Sequence, residues 1–134
     1  MAIALLAVAV VGVGVGLGLQ AGGLSFGSSF GLAAITRANY QSTATMLAQA
    51  KLEEIKNAQY TATVDEITIA NFPDEAYGTI VGYPSYRRTL TIQNGVPVAG
   101  MKTTTVRVFF LPPRESGLGQ EEGVQLVTII AQRP

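Results

Sequence analysis

The chain has 134 residues, 48% of them hydrophobic and only 13% charged, about half the roughly 25% charged content of ordinary soluble domains. Nine Lys and Arg balance nine Asp and Glu, so no net charge draws the protein toward nucleic acid or an anionic membrane surface. With no Cys and no His, disulfides, thiolate metal sites, the commonest general base and the commonest transition-metal ligand are all excluded.

Every charge lies between Arg37 and Arg133, and the first 36 residues carry none. Residues 1–19 read MAIALLAVAVVGVGVGLGL, which as a helix would be about 28 Å long, close to the hydrocarbon thickness of a bilayer. This predicts a membrane-embedded helical segment over residues 1–35. Gly12, Gly14, Gly16 and Gly18, with Gly23, Gly27 and Gly31 beyond them, form overlapping pairs four residues apart. That spacing puts a stripe of small residues on one helix face, where a second backbone can approach closely. These seven glycines, Gly12, Gly14, Gly16, Gly18, Gly23, Gly27 and Gly31, are the candidate helix-packing interface. A strand over the same residues is the weaker expectation, because an isolated strand leaves its backbone groups unpaired in lipid. A cleaved secretory signal would need a basic region before the apolar run, and none stands there.

Residues 36–58 contain no Gly or Pro and are rich in Ala, Gln, Leu, Lys and Glu, which predicts a helix. Tyr40, Ala44, Leu47, Ala48, Leu52 and Ile55 recur at three- and four-residue steps and make its apolar face. With no Pro between the two stretches, one long helix is expected, embedded in its first half and amphipathic in its second. Residues 59–84 read as a connection, with short strands expected at 66–70 and 77–81 and a turn at 71–74. Antiparallel strands are expected within 85–131. Residues 85–93 alternate with Tyr86, Leu90 and Ile92 on one side and Arg88 as the exception there, and Asn94-Gly95 is a turn signal. Residues 101–111 resume with β-branched and aromatic residues, Pro112-Pro113 stops them, and 124–131 is a nearly continuous apolar strand. The fold class is therefore α+β: a long N-terminal helix packed on a small antiparallel sheet, with residues 36–134 forming one domain.

This order of parts resembles a type IV pilin, and the stretch ATMLAQAKLEEIKNAQY over residues 44–60 looks like the helix end of minor pilins and of I-type minor pseudopilins of type II secretion. The ending, KTTTVRVFF, a loop and GVQLVTIIAQRP, is similar too. The resemblance implies a non-enzymatic structural subunit held in the bacterial inner membrane by a single pass, with its domain outside the cytoplasm, and assembled through its N-terminal hydrophobic helix into a surface or periplasmic filament. The implied partners are other pilin or pseudopilin subunits, an inner-membrane assembly platform, the lipid bilayer before assembly and, with an upstream leader, a prepilin peptidase. The resemblance makes the seven glycines an assembly interface as well, with local loss of helix between Gly12 and Gly23 in the assembled form, and it implies no cofactor. The family has a Glu five residues into its mature chain, whereas Leu5 stands here and no acidic residue precedes Glu53. The sequence is thus expected to begin inside the family's N-terminal motif.

Three acidic pairs, Asp65-Glu66, Asp74-Glu75 and Glu121-Glu122, offer oxygen ligands, but their spacing matches no Ca²⁺ loop and solvated loop charge is the expected role. Arg87, Arg88, Lys102 and Arg107 are candidates for phosphate contacts, yet Arg87 and Arg88 point to opposite faces of one strand, so nucleic acid is not an expected partner. Ser28, Ser29, Ser42 and Ser116 lack a His partner, which argues against an enzyme. The long loop over 112–123 is expected to be an exposed tip or subunit contact, or else plainly disordered. The alternative to a filament subunit is a single-pass membrane-anchored binding domain unrelated to filaments.

Overall fold

The computed structural model describes residues 9–13, 27–114 and 117–134, with side-chain surroundings for 34–112 and 119–134. Its elements are strand β1 (Ala9–Val13), helix α1 (Gly27–Asn57), strands β2 (Tyr86–Asn94) and β3 (Met101–Phe110), the two-residue strands β4 (Pro113–Arg114) and β5 (Gly117–Leu118), and strand β6 (Glu122–Ala131). The main sheet has the order β1-β6-β3-β2, all antiparallel, and β4 with β5 forms a separate small hairpin. Helix α1 packs on the β3 and β6 part of the sheet.

The expected long N-terminal helix is corrected. Ala9–Val13 is a strand, paired antiparallel with β6 from Ala9↔Val127 to Val13↔Gly123, and α1 begins only at Gly27. Among the described residues no helix is long and apolar enough to cross a membrane, which removes the support for a single-pass inner-membrane anchor. The physical reason lies in the residues themselves. Three of the five residues of Ala9–Val13 are Val, which suits a strand, and Gly12 costs a helix about 1 kcal/mol relative to Ala. The objection to a strand was its unpaired backbone, and β6 supplies the partner.

The apolar face of α1 forms one wall of the core: Ala44, Leu47, Ala48, Leu52 and Ile55 are buried, and Tyr40 packs beside them. Tyr40 stacks against Tyr86 and Phe110, with centroids 5.8 and 5.5 Å away. The sheet answers with Tyr86 and Leu90 from β2, Val106, Val108 and Phe110 from β3, and Val124, Leu126 and Ile130 from β6. These residues alternate strictly along β3 and β6. The apolar run of β6 is therefore split between two faces, with Val127 and Ile129 half-buried on the side away from the helix.

The two short strands expected in the connection are replaced by turns and isolated bridges. Ile67, Phe72 and Ile80 are buried there, single anchors without periodicity, and so each held residue is followed by chain that turns away. The connection also shields the outer edge of β2. Glu75 and Arg88 exchange two backbone hydrogen bonds of 2.8 Å, and Asp74 Oδ1 accepts from the Leu90 N–H at 2.8 Å. Covering an edge in this way blocks unwanted pairing with another chain.

Helix α1 runs parallel to β6. The Arg37 guanidinium binds Glu122 at the start of β6, and past its other end Arg133 Nη2 donates to the Lys56 carbonyl at 2.8 Å. The second contact satisfies a carbonyl of the last helical turn, where a cation is favoured.

Candidate functional site

Among the described residues, the charged side chains take part in internal ties. On the helix-facing side of β2, Arg88 donates to Glu75 through Nε at 2.5 Å and Nη2 at 2.8 Å, and its Nη1 reaches the Leu47 carbonyl of α1 at 3.0 Å. Lys51 lies 3.8 Å from the same carboxylate and 3.0 Å from Glu54, with its ammonium over the Phe72 ring. The hydrogen bond from Arg88 holds the Glu75 carboxyl below its usual range, against the opposing effect of burial. This cluster joins α1, β2 and the connection at one point.

A second tie sits at the sheet's inner face near its other end. Lys102 is 2% exposed, and its Nζ donates to Asp65 Oδ2 at 2.5 Å and to the Ile67 carbonyl at 2.7 Å. Its ammonium lies 5.0 Å from the centre of the Tyr60 ring. Burial and the nearby Asp65 charge push the Tyr60 phenol up.

On the open face, the Arg87 guanidinium lies over Phe109, 3.9 Å from the ring centre, and donates to Glu121 through Nε at 2.8 Å and Nη2 at 2.5 Å. The Tyr77 hydroxyl donates to the same carboxylate at 2.7 Å. Phe109 in turn covers Gly123, its register partner, where an added Cβ would come within 2.8 Å of the ring. Burial, reinforced by the hydrogen bond to Glu121, raises the Tyr77 pKa to about 12, and the Arg87 hydrogen bond lowers that of Glu121.

These shifts set the pH dependence of folding. Glu121 and Glu75 contribute stability that is present above their ordinary pKa of 4.5 and is lost as pH falls through the lowered native values. Tyr77 contributes stability that is present below its ordinary value of 10.0 and is lost as pH rises toward about 12. Denaturant melts taken from pH 9 to pH 12 are expected to show that alkaline loss in the native chain and a smaller one in Tyr77→Phe. Equal slopes would mean that the phenol ionises as freely in the fold as out of it.

The six carboxylates of the three acidic pairs are thus occupied within the fold. Asp65 and Glu122 bind Lys102 and Arg37, Asp74 and Glu66 accept from the Leu90 and Gln59 N–H groups, and Glu75 and Glu121 bind Arg88 and Arg87. No group of three metal-ligating side chains converges among the described residues. Arg87, Arg88, Lys102 and Arg107 do not gather into one basic patch; Arg107 bonds Gln125 at 2.6 Å on the open face, while Arg88 and Lys102 lie on the helix side. Sequence reasoning missed Lys51 and Lys102 as buried groups. The available signal for Lys51 was its position among Ala44, Ala48 and Ile55, seven, three and four residues away on one helical face.

Of the seven candidate glycines, Gly12 lies in β1 opposite Val124, and Gly27 and Gly31 lie one turn apart in the first part of α1. Gly14, Gly16, Gly18 and Gly23 fall outside the described residues. The loop over 112–123 folds back on itself through β4 and β5, closed by a 2.8 Å hydrogen bond from the Gly119 N–H to the Pro112 carbonyl.

The remaining distinctive surface is the outer face of α1. From residue 34 to residue 50 its exposed residues are Ala34, Ile35, Ala38, Asn39, Ser42, Met46, Gln49 and Ala50, none charged. Ile35 is 59% exposed and Met46 44%. A helix whose outer face meets only water ordinarily carries charge there, and here exposed charge begins with Glu53 and Glu54. Compared with protein-family models, with curated proteins and with solved structures, the chain finds no match in any of the three.

Proposed function

We propose that the chain is a non-enzymatic structural subunit of a filament of the type IV pilus or type II secretion kind, a minor pilin or pseudopilin whose partners are other subunits of that kind. The observation that carries this reading is the uncharged outer face of α1 between residues 34 and 50, which continues the charge-free character of the first 36 residues. Small and uncharged side chains let two helices approach closely without stranding a charge between them. The resemblance over residues 44–60 supports the same reading.

The test is the double substitution Ala38→Glu with Ser42→Glu in the full chain, co-expressed with the chains encoded beside it. The native chain is expected in a sedimenting polymer fraction, and the variant in the soluble fraction. Because both positions are exposed, the variant's own stability should change by no more than about 0.5 kcal/mol. A variant that enters the polymer as well as the native chain does would overturn the proposal, as would a native chain that never enters one.

A further inference from the structure

The pairing of β1 with β6 has a geometry that favours exchange between copies. β1 is an edge strand of five residues, and it is joined to α1 only through residues 14–26. Its last residue, Val13, stands opposite Gly123, at the end of β6 where the Arg37 tie to Glu122 also lies. Helix α1 begins at Gly27, ten residues before that tie, which places its start about 15 Å of helix axis farther along. The thirteen intervening residues extend to as much as about 43 Å, well over twice that axial distance. A domain of this size has a radius of gyration of about 14 Å, so the β6 edge of an adjoining copy lies within that reach. Residues 14–26 also carry five glycines and no charge, so the sequence places no ionic obstacle to passing between two domains.

We propose that β6 accepts residues Ala9–Val13 of a second copy, in the same antiparallel register, so that each chain lends its first strand to the next. Building on the reading of the chain as a filament subunit, this names the contact. The strand lent and the edge that receives it are different surfaces, so when each copy lends to the next the interface is heterologous, and it repeats along an open filament where the rotation between copies does not close a ring or a reciprocal pair. The hydrogen bonds formed are those of the single-copy pairing, and exchange therefore costs no backbone partner. The contact is ordered by backbone pairing along β6, and the uncharged face of α1 is free to meet a neighbour elsewhere.

Because the chain has no cysteine, the register can be tested by introduced pairs. Full-length Val11→Cys and Gln125→Cys proteins, which occupy partnered positions, are mixed, incubated and oxidised, then separated under denaturing, non-reducing conditions. Val11→Cys mixed with Ile129→Cys is the off-register control, since position 129 lies four residues, about 14 Å, farther along β6. Exchange is expected to give a disulfide-linked species of twice the chain mass, at least about tenfold above the off-register control, because a disulfide needs Cα atoms within about 7 Å. The doubly substituted chain is expected to give a ladder of higher multiples. Ala9→Cys with Val127→Cys, also a register pair, repeats the test should the first substitutions disturb folding. An in-register yield no greater than the control, with the double variant closing only on itself, would overturn the exchange. Sedimentation of the native chain in parallel separates the two proposals: polymer without in-register links overturns strand exchange and leaves the subunit reading standing, whereas absence of both overturns both.

Discussion

Replacing Lys102 by alanine is expected to lower the unfolding free energy by about 3 kcal/mol, the largest loss anticipated for any charged residue of the domain. Three effects add in one direction. The Lys102 stem is enclosed between sheet and connection, with the whole residue 2% exposed, so truncation leaves a void where methylenes packed. The Ile67 carbonyl loses the donor that now stands 2.7 Å away, and Ile67 itself is fully buried. Asp65 loses its cation, although its 44% exposed side chain lets water take over much of that role. This last point places the estimate at the lower end of the range for broken buried pairs. Lys102→Met keeps most of the stem and should recover roughly half the loss. Urea melts of the two variants would separate packing from polar ties. Equal destabilisation by alanine and methionine would assign the whole effect to the lost ammonium, and none in either would remove the tie from the energetics of the fold.

The second large effect is expected to be stabilising. Thr104 and Thr128 are register partners on β3 and β6, both 0% exposed on the face beneath α1, and neither Oγ1 has a hydrogen-bond partner. A buried hydroxyl without a partner costs about 1–3 kcal/mol. Valine has nearly the same shape and suits a strand at least as well. Thr104→Val combined with Thr128→Val should therefore raise stability by about 1–3 kcal/mol, with the two effects not additive because the residues face one another. Thermal unfolding of the double variant checks this. A lower midpoint than the native chain would show that the hydroxyls are hydrogen-bonded in solution, to each other or to an enclosed water.

The amphipathic part of α1 was legible because burial on a helix imposes a period. Tyr40, Ala44, Leu47, Ala48, Leu52 and Ile55 lie at that period, and all six belong to the core or pack against it. The strands after residue 85 were legible for the corresponding reason, with the turn at Gly95 marked by its positive φ of 68°, which a side chain rarely adopts. The connection resisted reading because Ile67, Phe72 and Ile80 are anchored one at a time, and isolated anchors carry no periodic signal. The ionic ties were equally hidden. Arg37 and Glu122 are 85 residues apart in sequence, and Lys102 and Asp65 are 37 apart. Nothing local distinguishes such partners from solvated surface charge.

By itself, the sequence determined the segregation of charge, the absence of His and Cys chemistry, and the local periods of one helix and three long strands, since all of these depend on neighbours a few residues away. Only the tertiary structure decided the state of residues 9–13. Residues 9–13 are apolar enough to suggest a helix in a dry environment, while their three valines and Gly12 favour an extended chain, so local preference alone does not fix their state. The balance is settled by β6, more than a hundred residues later, whose free edge offers the backbone hydrogen bonds that an isolated strand lacks.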